Sequence, residues 1–408
     1  MAVFGLLAVP NAAAANDDNT WTLLAALPQP QDRALFALAA DPNDSRTLLT
    51  GTSSGEIYRS SDRGASWRLA KSGLGRGVVA IAFNPFKPGA VLAGTRGAGV
   101  WRSADGGATW QAQAGTESRT ARAFSFTKSL SLAGTDQGIL VSRDTGGWTA
   151  SGLPQMTVSS VAAPAVNEPS RLIAGGDGSR GTEALPLFTS ADGGQTWVPT
   201  ASAVAGSSMV AMLVAGPLPP SQSVRPLLMG TNTGLFLSGD NGVGWQQLTG
   251  GGTLPATDFN TASFLPNRSD RFYVGSDGGA SELGGVWSTT DSGVHFNSLK
   301  APIPSVTALA TSNEDVPVLY VATFRSRDHA VMLWSYRDAG GQPRPPAAVP
   351  TPSPGSGVSA STTPPRPARF WLLPLLTGPE APYLALGVLA LLVLAVAVVT
   401  HFRRARRL

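Results

Sequence analysis

Ser103-Ala104-Asp105-Gly106-Gly107-Ala108-Thr109-Trp110 is the stretch on which the first 340 residues are built, because versions of it return at regular intervals. Its chemistry is that of a tight turn closing a hairpin. Ser and Asp side chains can bond the turn backbone, Gly supplies positive φ, and Trp opens the next strand as a large apolar plug.

Full copies stand at Ser60 to Trp67 and Ser190 to Trp197, and a copy one residue short runs from Ser142 to Trp148. Two more run from Ser238 to Trp245 and from Thr289 to Phe296, the last with Phe in place of Trp. The closing aromatics Trp67, Trp110, Trp148, Trp197, Trp245 and Phe296 are separated by 43, 38, 49, 48 and 51 residues. Such intervals are too long for one hairpin and suit a four-stranded propeller blade. A seventh unit is split. Tyr336-Arg337-Asp338-Ala339-Gly340 keeps the Asp-x-Gly core, and Thr20-Trp21-Thr22-Leu23-Leu24 supplies the missing Trp-bearing strand. The expected fold is therefore an all-β, seven-bladed propeller over 16–341 whose N-terminal strand completes the last blade and hides its edges.

Within a unit the order is clearest around the second copy. An apolar inner strand Val78 to Phe83 is followed by the turn Asn84 to Gly89, then Val91 to Thr95, a turn Arg96 to Gly99, Val100 to Ser103, the Asp turn, and Trp110 to Ala112. The first unit repeats the plan with Leu35 to Leu38, Leu48 to Thr52 and Ile57 to Ser60. Longer insertions, Gly175 to Leu185 and Pro217 to Arg225, are expected on a working face.

Composition supports short strands and turns: 47 Gly, 32 Pro and 14% charged residues in 408. Without cysteine the chain has no disulfide and no thiol nucleophile. The formal charge of +4 comes from Arg403, Arg404, Arg406 and Arg407, leaving a neutral body. That excludes the broad basic footprint of a nucleic-acid binder.

The flanks change character. Residues 1–15 read as a signal peptide, an apolar run ending in small residues with Ala13 and Ala15 placed for cleavage, although no basic segment precedes it. Residues 342–369 are a Pro/Ser/Thr-rich linker, and 370–382 form an apolar, proline-interrupted segment suited to a membrane interface. Residues 383–402 contain no Asp, Glu, Lys or Arg, enough for a transmembrane helix, and 403–408 form a basic cytoplasmic tail. The expected location is a single-pass cell-membrane protein with its propeller outside.

The Ser/Thr-x-Asp-x-Gly-x-Thr/Ser-Trp pattern resembles the Asp-box, or BNR, repeat of sialidases, xyloglucan-cleaving glycosidases, sortilin-type receptors and the photosystem II assembly and stability factor. The resemblance implies a propeller in which the Asp boxes lie between third and fourth strands, away from the usual ligand face. Sialidases have six blades, an Arg-Ile-Pro segment, an arginine triad and a Tyr/Glu pair. This chain has no Arg-Ile-Pro, and Tyr58, Tyr273, Tyr320 and Tyr336 fall in expected strands. Its single ring is nearest in layout to the photosystem II assembly factor, from which the C-terminal stalk and helix depart.

Asp62, Asp105, Asp144, Asp192, Asp240 and Asp291 are accordingly read as turn locks and the closing aromatics as packing between blades, not as catalytic groups. The opposite face should carry the turns after the second and fourth strands, with Arg33, Lys71, Arg76, Arg96, Arg119, Asp136, Asp177, Arg180, Asp277, Glu282, Arg325, Arg327 and Asp328. Arginines grouped there would bind a carboxylate, an acidic peptide or a sugar acid. His295, His329 and His401 are scattered, so neither a metal, a cofactor nor a Ser-His-Asp set is expected. The function read from the sequence is a non-catalytic, membrane-anchored scaffold for an extracytoplasmic protein or glycan. The alternative is a sialidase-like glycoside hydrolase using carboxylates among Asp136, Asp177, Asp277 and Glu282.

Overall fold

A computed structural model describes residues 17–341 and 343, apart from 30, 32, 144–146, 166–170, 178–184, 201–203, 205–206, 221, 256–257 and 280–282. The signal-peptide segment, the linker apart from residue 343, the interfacial and transmembrane segments, the basic tail, and Asp144, Arg180 and Glu282 all lie outside the described residues. Among the described residues no helix is long and apolar enough to cross a membrane.

Seven four-stranded antiparallel sheets form the blades of a propeller. Blade 1 comprises Ala37–Ala40, Leu48–Gly51, Ile57–Ser60 and Arg68–Lys71, and blade 2 comprises Val78–Phe83, Val91–Thr95, Val100–Ser103 and Gln111–Ala112. Blades 3 to 6 follow in sequence, beginning at Ala121, Val158, Val210 and Thr261. The first strands of successive blades pack against one another, and blade 7's packs on blade 1's, which closes the ring.

Blade 7 is assembled from both ends of the propeller. Its first three strands are Val306–Thr311, Val318–Arg325 and Ala330–Arg337, and its fourth is Trp21–Leu23, with Trp21 opposite Tyr336. Asn19 fastens the joint: its Nδ2 donates to the Gly340 carbonyl at 2.6 Å and its Oδ1 accepts the Ala339 N–H at 3.1 Å. Asp18 and Arg337 pair beside it.

Each described closing aromatic packs backward onto the preceding blade. Trp67 meets Tyr320 and Leu333 of blade 7, Trp110 meets Leu49 and Ile57 of blade 1, and Trp148 meets Leu92 and Val100 of blade 2. Trp197, Trp245, Phe296 and Trp21 repeat this around the ring. Large aromatics bury about 150–250 Å² each, so these contacts supply much of the apolar seal between sheets.

The turn chemistry expected from the sequence is present in detail. In blade 2 the Ser103 hydroxyl donates to Asp105 Oδ1 at 2.7 Å and accepts the Gly107 N–H at 2.8 Å. The same carboxylate accepts the N–H of Ala108 and Thr109, and Thr109 Oγ1 donates to Oδ2 at 2.6 Å. Burial works against ionisation of Asp105, but the hydrogen bonds from Thr109 and Ser103 outweigh it and hold the carboxyl at about 2. Blades 1, 4, 5 and 6 repeat the lock through Asp62, Asp192, Asp240 and Asp291. In blade 6 a histidine replaces the hydroxyl residue, with His295 Nδ1 2.7 Å from Asp291 Oδ2.

Glycine is required at one recurring place, the end or penultimate residue of the second strand, where a blade approaches its neighbour. A Cβ on Gly51 would stand 2.5 Å from Val78 Cγ1, and one on Gly275 would stand 2.9 Å from Val306 Cγ1. Gly94 and Gly175 meet the following inner strand in the same way, at Ala121 and Val210, and Gly230 meets the Phe259 carbonyl just ahead of it.

Candidate functional site

The backbone sorts the connections onto two faces. On one, the turn after the second strand meets the connection leading into the next blade: the Arg76 N–H donates to the Arg96 carbonyl at 3.4 Å and the Gly99 N–H to the Arg119 carbonyl at 3.0 Å. On the other, the Asp turns meet the turns between first and second strands, as in the Gly106 N–H to Gly89 carbonyl bond at 2.9 Å. Arg76, Arg96 and Arg119 therefore stand on the face opposite the Asp turns.

Arg33, Arg76 and Arg119 occupy equivalent positions in three successive blades, two residues ahead of Leu35, Val78 and Ala121. Arg33, Arg76 and Arg96 are exposed, while Arg119 is half-buried and donates from Nη1 to the Gln137 carbonyl at 2.8 Å. Arginines thus outnumber carboxylates over blades 1 to 3, where the exposed Glu117 and the half-buried Asp136 stand among them. The exposed carboxylate Asp177 and the half-buried Asp277 stand on blades 4 and 6 instead.

Other predicted members of this face are tied into the framework. Arg325 is held by Asp328 at 2.7 Å, leaving Arg327 exposed beside them. Asp136 accepts the Thr120 N–H at 2.9 Å, and Asp277 accepts the Gly279 N–H at 3.1 Å. Lys71 ends a strand with its ammonium 5.0 Å from the Trp101 ring centre.

Two residues of this face were missed in the sequence. The first strands carry a one-residue bulge near their start, between Val78 and Ala80, Ala121 and Ala123, Val158 and Ser160, Val210 and Met212, and Val306 and Ala308. The bulged residue in blade 3 is Arg122, exposed on an otherwise covered strand, and the matching residue of blade 1 is Phe36, 51% exposed. A bulge re-aims a side chain, so these positions belong to the rim and not to the core. The signal was the 43-residue interval itself, which relates Phe36 to Val79 and Val79 to Arg122 just as it relates Arg33, Arg76 and Arg119.

Gly175 to Leu185 spans the connection between the second and third strands of blade 4, of which 178–184 lie outside the described residues. Pro217 to Arg225 joins the first and second strands of blade 5, on the Asp-turn face. Its Arg225 lies 5.7 Å over the Phe86 ring of blade 2, and burial lowers the pKa of its guanidinium. Among the described residues no group of three or more His, Asp and Glu could hold a metal ion.

A seven-bladed propeller with an arginine-lined face is the class that these features define. No protein-family model matches the chain, and no curated protein matches it significantly. Among solved structures it is similar to the WD40 β-propeller domain of Doa1, at TM-score 0.58 and 11% identity over 78% of this chain and 97% of that one. It is similar as well to YCF48 bound to D1 peptide, at TM-score 0.54 and 15% identity over 79% and 99% of the two chains. Likeness at these identities establishes the fold.

Proposed function

We propose that the chain is an Asp-box (BNR) propeller that works as a non-catalytic binding scaffold, capturing an acidic segment of a protein partner on its arginine face. The observation that carries this reading is the placement of Arg33, Arg76 and Arg119 at one equivalent position in three neighbouring blades, with Arg96 and Arg122 beside them. Guanidinium groups repeated along an arc match carboxylates spaced along an extended chain. The peptide in the YCF48 complex is consistent with a propeller of this fold serving as a peptide platform. Asp136, whose carboxylate is bonded to backbone, and Asp177 and Asp277, two blades apart, give the glycoside hydrolase reading less support.

In this reading 1–15 direct export, 342–369 form a stalk and 383–402 hold the ring at the outer surface of the membrane, and Arg180 and Glu282 are further ligand-binding candidates from the sequence. The test is capture of a fluorescent acidic peptide by the full chain, compared with Arg76→Gln/Arg96→Gln/Arg119→Gln. Loss of capture by a variant that melts like the parent supports the scaffold. Unchanged capture removes this face from consideration, and turnover of a sialoside or β-glucan would replace the scaffold with an enzyme.

A further inference from the structure

The cleft between blades 2 and 3 on the Asp-turn face is a second site, remote from the arginine arc. It encloses about 260 Å³ and is lined by Lys87, Arg102, Lys128, Thr127, Ser131 and Trp148 among others, with no carboxylate among its described lining residues. Three cations from three separate segments converge on it: a turn of blade 2, the third strand of blade 2 and a turn of blade 3.

The internal repeat supplies a control for Arg102. Its counterpart in blade 1 is Arg59, since Leu49 faces Arg59 and Leu92 faces Arg102 in the two hairpins. Arg59 is engaged by the framework, donating from Nε to the Gly106 carbonyl at 3.0 Å and from Nη2 to Thr47 Oγ1 at 3.1 Å. In blade 2 the place of Thr47 is taken by Ala90, which lines the cleft, and Arg102 makes no side-chain hydrogen bond to any described residue. Lys128 is exposed and makes none either. The indole N–H groups of Trp110, Trp197 and Trp245 find carbonyl acceptors at 2.9, 2.6 and 3.2 Å. That of Trp148, in the cleft wall, has no such acceptor among the described residues. The indole of Trp67 in blade 1 also lacks an acceptor, so the contrast between blades rests on Arg102, whose counterpart Arg59 is engaged by the Gly106 carbonyl, as Arg143 of blade 3 is by that of Gly193.

We propose that this cleft binds a phosphate group, free or carried on a small sugar. Arg102 would grip two oxygens in a bidentate fork while Lys128 supplies a point charge from the opposite wall. Donors arriving from more than two directions suit a group with three free oxygens better than a planar carboxylate. The volume falls just below the roughly 300–1,000 Å³ typical of ligand pockets, which limits the occupant to about one sugar unit.

Calorimetric titration of the full chain with inorganic phosphate, glucose 6-phosphate and glucuronate at low salt tests the site. One-site saturable binding of phosphate or glucose 6-phosphate is expected, at least tenfold weaker in Arg102→Gln/Lys128→Gln and unchanged in Arg33→Gln/Arg76→Gln/Arg96→Gln on the other face. Tighter binding of glucose 6-phosphate than of phosphate identifies the sugar-borne source, and equal binding the free ion. No saturable heat, an Arg102/Lys128 variant that binds like the parent, or glucuronate binding as tight as phosphate that is lost in that same variant overturns the proposal. Lys128→Gln alone removes no hydrogen bond of the fold, so it decides the matter if the double variant is poorly folded.

Discussion

The indole N–H of Trp21 donates to the carbonyl of Leu299 at 2.7 Å, joining residues 278 positions apart in the chain. The same ring lies 4.9 Å from that of Tyr336 and packs among Tyr273 and Val286 of blade 6. One side chain near the start of the propeller thus seals its last blade. Trp21→Ala is expected to destabilise the ring by about 3–5 kcal/mol, the usual range for removing a buried Trp. Urea unfolding followed by far-UV circular dichroism checks this, and a loss under 1 kcal/mol would show that the closure contributes little.

Ring closure was legible because it depends on side chains that announce themselves: a Trp with no Asp turn before it at position 21, and an Asp-x-Gly with no Trp after it at Asp338. The blade count and the turn locks followed from the same repeats. Arg122 was not legible in this way, because a bulge shifts backbone register without changing the alternation of apolar residues around it, and Phe36 lies just ahead of the strand Ala37–Ala40. Nor does sequence separate an arginine engaged by its framework from a free one. Arg59 and Arg102 look alike until Thr47 and Ala90 are seen beside them.

Asp338, the aspartate of the incomplete turn, takes a different role from its homologues. It accepts the Tyr273 hydroxyl at 2.7 Å and pairs with Arg271 at 2.9 Å, both from blade 6, in a setting where the two charged side chains are 8% and 16% exposed. Asp338→Ala would leave Arg271 without its counter-charge in the interior, a change of about 3–5 kcal/mol. Thermal melts of Asp338→Ala, Arg271→Met and the double variant should show strong non-additivity, with the double variant recovering part of the loss. Additive losses would mean that the pair is not coupled.

The turn locks predict an acid-sensitive fold. Asp105, Asp192 and Asp291 ionise at about 2 in the folded protein against 3.8 for the free side chain, and Asp62 and Asp240 are also lowered. Between those values the unfolded chain binds more protons than the native one, so the contribution is full above pH 4 and lost as pH falls toward 2. Melting temperature measured from pH 5 to pH 2 should fall mainly within that window. Asp105→Asn should flatten the fall, and a melting temperature insensitive to pH there would contradict the assigned role.

The approach of neighbouring blades at Gly51 and Gly275 leaves no room for a methyl group. Gly275→Ala would drive a Cβ to 2.9 Å from Val306 Cγ1 and 2.7 Å from Thr261 Cγ2, so either the inner strands separate or the side chains leave their rotamers. Overpacking of this kind costs about 1–3 kcal/mol. Val306→Ala should relieve part of the loss in the double variant. If Gly275→Ala melts like the parent, the blades are not in contact at this point.

Partner capture by the arginine arc should be strongly salt-dependent, because Arg33, Arg76, Arg96 and Arg122 are all exposed. Screening acts over about 8 Å at physiological ionic strength and about 3 Å at 1 M, so an exposed basic arc loses most of its reach as salt rises. Charge at an exposed rim acts chiefly on association, so stopped-flow rates for an acidic peptide should fall with salt while dissociation changes little. Replacing Arg33, Arg76 and Arg96 with Gln should lower the rate at low salt and bring it close to the parent's high-salt value. Phe36→Ser supplies the complementary case, since removing the exposed ring takes away apolar contact and leaves the charge intact. It should speed dissociation without altering the salt dependence of association. A variant pair that behaved the other way round would take the peptide off the arginine arc.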